Sequence, residues 1–177
     1  MSKYTTTGLL ALLIMISCDR PNGESNSQYM EEETIVQHNA ALGKIAVGEV
    51  IYVPIYSSIF YSGPKRTMDL AATLSIHNTD LEQPITLTKI WYHDSKGRLL
   101  RKYNTEKVQL KPLETRNFVI EEKDKSGGPG ANFIVEWISE FEVTSPIIEA
   151  VMISTKYNVG ISFISTGRVI KTIEKQR

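Results

Sequence analysis

Leu70-Ala71-Ala72-Thr73-Leu74-Ser75-Ile76-His77 alternates along its length. Leu70, Ala72, Leu74 and Ile76 share one side of an extended chain; Ala71, Thr73, Ser75 and His77 share the other. The segment therefore predicts a strand with one buried face and one wet face. Working outward, Ile85 to His93 is a second strand. It runs into His93-Asp94-Ser95-Lys96-Gly97-Arg98, a turn with Gly97 where φ > 0 is needed, and Leu99 to Tyr103 should pair back on it. Val108 to Leu113 turns into Thr115 to Glu121, and Asn132 to Ser139, Ile147 to Thr155 and Gly160 to Ser165 follow. The first run, Val50 to Ile59, contains Pro54, which cannot donate a ladder hydrogen bond and so predicts an edge strand. Short runs of β formers punctuated by Gly, Pro, Asn and Asp, with no long helix between them, predict an all-β antiparallel β-sandwich of about 7–8 strands, and the order of its elements looks immunoglobulin-like by analogy. The domain is expected over residues 45–170, with a polar tail over 171–177.

The chain begins with Lys3 in a short polar head, an apolar run from Gly8 to Ile16, and Ser17-Cys18. That is the plan of a secretory signal over residues 1–17. The run is far shorter than the ~20 residues that span a bilayer. Leu12-Leu13-Ile14-Met15-Ile16-Ser17-Cys18 resembles the lipobox of bacterial lipoproteins, which implies acylation of the Cys18 thiol and a membrane anchor. The pattern departs from the usual one at Met15 and Ile16. Cys18 is the single cysteine, so a fold with no disulfide must stand on its core. Residues 18–44, with Pro21, Gly23, Ser25, Ser27 and the acidic run Glu31-Glu32-Glu33, read as a flexible tether, with a short helix over Thr34 to Leu42. The expected location is the bacterial cell envelope, the domain in the periplasm or at the cell surface. Loss of the signal removes one of 20 basic residues and none of 20 acidic ones. The near-neutral chain has no bulk field to attract nucleic acid.

Two places invite a ligand. In Asp124-Lys125-Ser126-Gly127-Gly128-Pro129-Gly130-Ala131-Asn132, the residues Gly127, Gly128, Gly130 and Asn132 could form a nest of backbone N–H groups that holds an anion or a carbonyl oxygen. The same glycines could equally make a tight inter-strand connection. Pro129 removes a donor, and no Gly-Lys-Ser/Thr follows. Tyr52, Tyr56 and Tyr61, with Phe60, surround the Pro54 strand. Tyr52 and Tyr56 fall on one face of an extended chain, either as a platform for a sugar or protein partner or as core packing. Trp91 and Trp137 read as sheet-packing residues.

Metal and catalytic patterns are sparse. If Leu70 to Asn78 paired with Ile85 to His93, His77 and His93 would lie ~26 Å apart. His38 falls in the tether, and no His-x-x-x-His, His-Glu-x-x-His or cysteine cluster is present. No metal or cofactor is implied. Calcium held by Asp69, Asp80 or Asp124 stays open without regular spacing. No Gly-x-Ser-x-Gly elbow marks a nucleophile, so no catalytic residue is assigned; the alternative reading is an envelope hydrolase with a cryptic site. The expected work is non-catalytic binding of an envelope protein or glycan.

Val53-Pro54-Ile55-Tyr56-Ser57, Leu70 to Ile76, Gly127 to Trp137, Ile148 to Ile153 and Gly160-Ile161-Ser162-Phe163 resemble the bacterial family called domain of unknown function 3124. The resemblance implies the domain boundary and an envelope setting. It carries no activity and no catalytic residue.

Overall fold

The computed structural model describes residues 44–155 and 160–173. The signal segment, Cys18, the tether except for its last residue, and the expected helix lie outside the described residues.

Twelve strands run β1 (Val47–Ile55), β2 (Ser58–Phe60), β3 (Thr67–Asp69), β4 (Ala71–His77), β5 (Ile85–His93), β6 (Leu99–Lys102), β7 (Val108–Leu110), β8 (Thr115–Ile120), β9 (Ala131–Ser139), β10 (Ile147–Ser154), β11 (Ile161–Thr166) and β12 (Arg168–Ile173). A six-stranded sheet has the order β12-β1-β9-β5-β6, with β7 also paired to β5; a four-stranded sheet has the order β11-β10-β4-β8; β2 and β3 form a small ribbon. The pairings are antiparallel throughout. The strand alternation is what builds the core. Ile51, Val53, Ile90, Tyr92, Phe133, Val135 and Trp137 from the larger sheet meet Leu74, Ile76, Ile120, Ala150 and Met152 from the smaller, all in one buried cluster. Burial of each large side chain contributes about 1.5–3 kcal/mol, and with no cysteine among the described residues this contact is what joins the two layers.

β4 alternates as its sequence predicts, and the β5–β6 hairpin closes on Gly97 at φ 77°. The pairing of β4 with β5 does not form. β4 pairs with β8 and β10, while β5 pairs with β6, β7 and β9 in the opposite sheet. Two consecutive strands thus enter different layers, and their partners β8 and β9 do the same, as the B–E and C–F pairs do in immunoglobulin-like sandwiches. Buried Asn78 holds the β4–β5 crossing by donating to the carbonyls of Gln83 and Lys111, 2.9 Å each.

The edge assignment of the first strand is corrected in part. β1 lies between β9 and β12 over Gly48–Tyr52, and only its Pro54 end borders β9 alone. The proline thus stands where β12 no longer runs alongside. The polar tail also starts later than expected, because residues 171–173 belong to β12.

Asp94 anchors the β5–β6 turn and gives it a pH signature. Its Oδ1 accepts the N–H groups of Lys96 (2.8 Å) and Arg98 (2.9 Å), and its Oδ2 accepts Arg98 Nε at 2.7 Å. The backbone N–H of Arg98 leads in holding this carboxyl below its ordinary 3.8; burial opposes it, and the Arg98 side chain and Lys96 N–H add to it. A lowered folded-state value gives stability that is present above 3.8 and lost as the pH falls through the lowered value. The urea-midpoint difference between wild type and Asp94→Asn is therefore expected to be constant near neutrality and to shrink in acid. A difference independent of pH would contradict this.

Candidate functional site

The glycine loop is stitched to its surroundings. Ser95 donates its N–H and its Oγ to the Gly127 carbonyl (3.0 and 2.9 Å), and its Oγ accepts the Gly130 N–H at 2.9 Å. Ser57 N–H and Oγ both reach the Gly128 carbonyl, at 3.3 and 3.2 Å. Gly128 sits at φ 75°, where a side chain is strained. Lys125 pairs with Asp69 at 2.8 Å, and Arg101 with Asp124 at 3.1 Å. These bonds make the loop a connection into β9, with Asn132 buried at the start of that strand. Beneath it, the Tyr92 hydroxyl is buried and makes no hydrogen bond of acceptable geometry. Burial pushes this phenol up to about 12, with the Ser57 side chain working against it.

The tyrosines are not brought together. β1 ends at Ile55, so Tyr56 turns inward, packs on the core and meets the Phe163 ring edge-on at 5.8 Å. Tyr61 is exposed beside Phe60, just past the β2–β3 ribbon. Tyr52 remains on the solvent side of β1, and its neighbours across the sheet are ones that sequence spacing did not reveal. Register places Arg168 (β12), Tyr52 (β1), Ile134 (β9), Trp91 (β5) and Lys102 (β6) in one row across five strands. The adjacent row holds Lys171, Val50, Glu136 and Lys89. Trp91 is half-buried on this outer face, while Trp137 is fully buried and donates Nε1–H to Glu49 at 3.2 Å. The signal for Trp91 was present: Ile90 and Tyr92 point inward, so the residue between them must point out.

Cations dominate that face. Lys102 Nζ lies 5.0 Å and Lys89 Nζ 5.5 Å from the Trp91 ring centre, within cation–π range. Glu136 is ion-paired with Lys89 at 2.5 Å. Burial works to raise the Glu136 carboxyl, but hydrogen bonds from Lys89 and Thr88 hold it below its ordinary value. Among the described residues, Lys102, Arg168 and Lys171 form no ion pair.

The outer face of the four-stranded sheet is of the opposite character. One row holds Ile164, Val151, Thr73 and Val119; its neighbours hold Ser162, Ile153 and Ala71, then Thr166, Glu149, Ser75 and Asn117, then Ile147, His77 and Thr115. Val119, Ile147, Ile153 and Ile164 are 53, 52, 47 and 61% exposed. Glu149 is the lone carboxylate in these rows, and no Lys or Arg stands in them. His77 accepts or donates at 2.9 Å to the Thr115 hydroxyl.

The acidic candidates Asp69, Asp80 and Asp124 are engaged locally, whereas the buried His93 Nδ1 makes no hydrogen bond among the described residues, and His38 lies outside them. Asp80 accepts the N–H groups of Glu82, Gln83 and Thr144. Among the described residues, no three His, Cys, Asp or Glu side chains converge as metal ligands would. The described residues present two broad sheet faces of contrasting character.

Strand pairing and core define an antiparallel β-sandwich. The chain belongs to the family described as protein of unknown function (DUF3124), whose model matches residues 48–170. Among solved structures it is similar to the crystal structure of Thermotoga maritima 1070, with 11% identity and a TM-score of 0.40 over 68% of this chain and 92% of that one. No curated protein matches it.

Proposed function

We propose that this chain is a membrane-anchored envelope lipoprotein whose sandwich is a non-catalytic binding domain for a protein partner. The observation that supports binding is the outer face of the four-stranded sheet, where four large aliphatic side chains stand about half exposed among Thr, Ser and Asn with one carboxylate. Apolar surface of this kind gains free energy only when a partner covers it. Four strands of about six residues present roughly 400 Å², half the ~800 Å² that each partner of a standard stable complex buries. The partner is therefore of the transient class, or it also uses the open edge of β11. Cys18 supplies the anchor through the lipobox resemblance.

The experiment is crosslinking capture from intact envelopes, comparing wild type with Ile153→Lys/Ile164→Lys, two exposed changes expected to leave stability within about 0.5 kcal/mol. A partner taken by wild type and lost with the variant is the expected result. Equal capture by both would move the binding surface elsewhere. Cys18→Ser tests the anchor in parallel: its retention in the membrane fraction with unchanged gel mobility would contradict lipidation.

A further inference from the structure

The two faces of the sandwich differ in charge, although the whole chain is neutral. On the six-stranded face, Lys89, Lys102, Arg168 and Lys171 stand against Glu136 alone, a net of +3. On the four-stranded face, Glu149 is the single charged residue in the rows described above. The cations do not converge on a cleft. Arg168 and Lys102 occupy opposite ends of a row five strands wide, about 19 Å apart at the strand spacing. Two half-buried aromatic rings with polar tips, Tyr52 and Trp91, lie between them.

We infer that this face docks flat on the anionic phospholipid headgroups of the bilayer that holds the anchor, which leaves the more apolar face, with Glu149 as its one charge, turned outward for the protein partner. This rests on the proposed lipid anchor, which would hold the domain at high local concentration so that a weak face-on contact suffices. A fluid array of headgroups can meet cations spread over a plane, whereas a single soluble ligand needs donors that converge. Tyr and Trp, with apolar rings and a polar end, suit the boundary between headgroups and hydrocarbon. Each basic residue near an anionic surface adds about fivefold to binding, so a net of three favours the docked state by about 100-fold. The effect should fade at 1 M salt, where the screening length is ~3 Å.

The test uses the full chain purified from membranes and reconstituted into two vesicle types, phosphatidylcholine alone and phosphatidylcholine with phosphatidylglycerol, each carrying a spin label on a fraction of the headgroups. Flotation with the first type reads the anchor, and quenching of tryptophan emission reads docking. The expected result is quenching in anionic vesicles that is reversed by salt, absent in Trp91→Phe, and lost in Lys102→Gln/Arg168→Gln, whose docked-to-free ratio should fall about 25-fold. Equal quenching in both vesicle types, or quenching unaffected by the double change, would overturn docking while leaving the anchor intact. If the chain floats with neither type, both readings fail. Flotation with anionic vesicles alone would remove the anchor and support docking. If a soluble acidic polysaccharide binds more tightly than anionic vesicles and abolishes the quenching, the face belongs to a glycan and the lipid inference falls.

Discussion

Gly167→Ala is expected to lower the stability of the domain by about 3 kcal/mol, at the upper end of what overpacking costs. Gly167 is where the chain leaves β11 in one sheet for β12 in the other, and its N–H donates to the Ile148 carbonyl at 2.8 Å. A Cβ there would stand 2.7 Å from Ile51 Cγ2, 2.8 Å from the Ile148 oxygen and 3.2 Å from Val53 Cγ2. One obstacle is backbone and the other two are short branched core side chains, so nothing can swing aside. The φ at this glycine is not in the left-handed region, which makes the cost one of space and not of conformation. Urea unfolding should show a lower midpoint with an unchanged slope. Gly160→Ala is the control, since no described residue lies within 4 Å of its Cβ position. A loss at Gly167 no larger than at Gly160 would show that the sheet crossing has slack that the packing denies.

The second large effect is expected at Gly127→Ala, also about 3 kcal/mol. Its Cβ would overlap the Tyr92 hydroxyl and come within 2.7 Å of Tyr92 Cζ and 2.8 Å of Ala131 Cβ. Tyr92→Phe alone removes a buried hydroxyl whose interaction with the Ser57 side chain falls short of good hydrogen-bond geometry, so it should change stability by no more than about 1 kcal/mol. Combined, the two changes should recover part of the Gly127→Ala loss, because one of three obstacles has gone. A double-mutant cycle with no coupling would mean that the loop moves away from Tyr92 as a unit. Gly130→Ala would find its three nearest atoms in Ser95, at 3.5 Å or more, and is expected to be nearly silent in stability. That contrast makes Gly130 the position at which any ligand role of the loop can be probed without unfolding it.

Local pattern was enough to recognise β4, β5 and the Gly97 turn, because each is a property of neighbouring residues: alternation with period two, or a backbone angle that glycine supplies. It could not recognise β12. Arg168 to Ile170 are all exposed, as are Lys171 and Thr172, and the strand exists because β1 offers it an edge. Nor could it assign partners, since β4 and β5 read the same whether they pair or separate into two layers. The binding faces suffer most from this. Tyr52 and Tyr56 share a side only while the strand continues, and it stops at Ile55. Tyr52 and Trp91 lie 39 positions apart in the chain and enter one row only through the β1–β9–β5 register.

The pairing of Gly48 with Ile173 has a consequence for the timing of folding. The first strand of the larger sheet needs the last described strand beside it, so one side of β1 keeps unpaired N–H and C=O groups until synthesis has passed residue 173. The family match stops at residue 170, and a chain cut there would leave Gly48, Glu49 and Val50 without their β12 partners, a short open edge free to recruit strands from other copies. Contacts between such distant residues also form slowly. A newly made chain that cannot complete its first sheet early stays threadable for longer, which suits the export proposed for it.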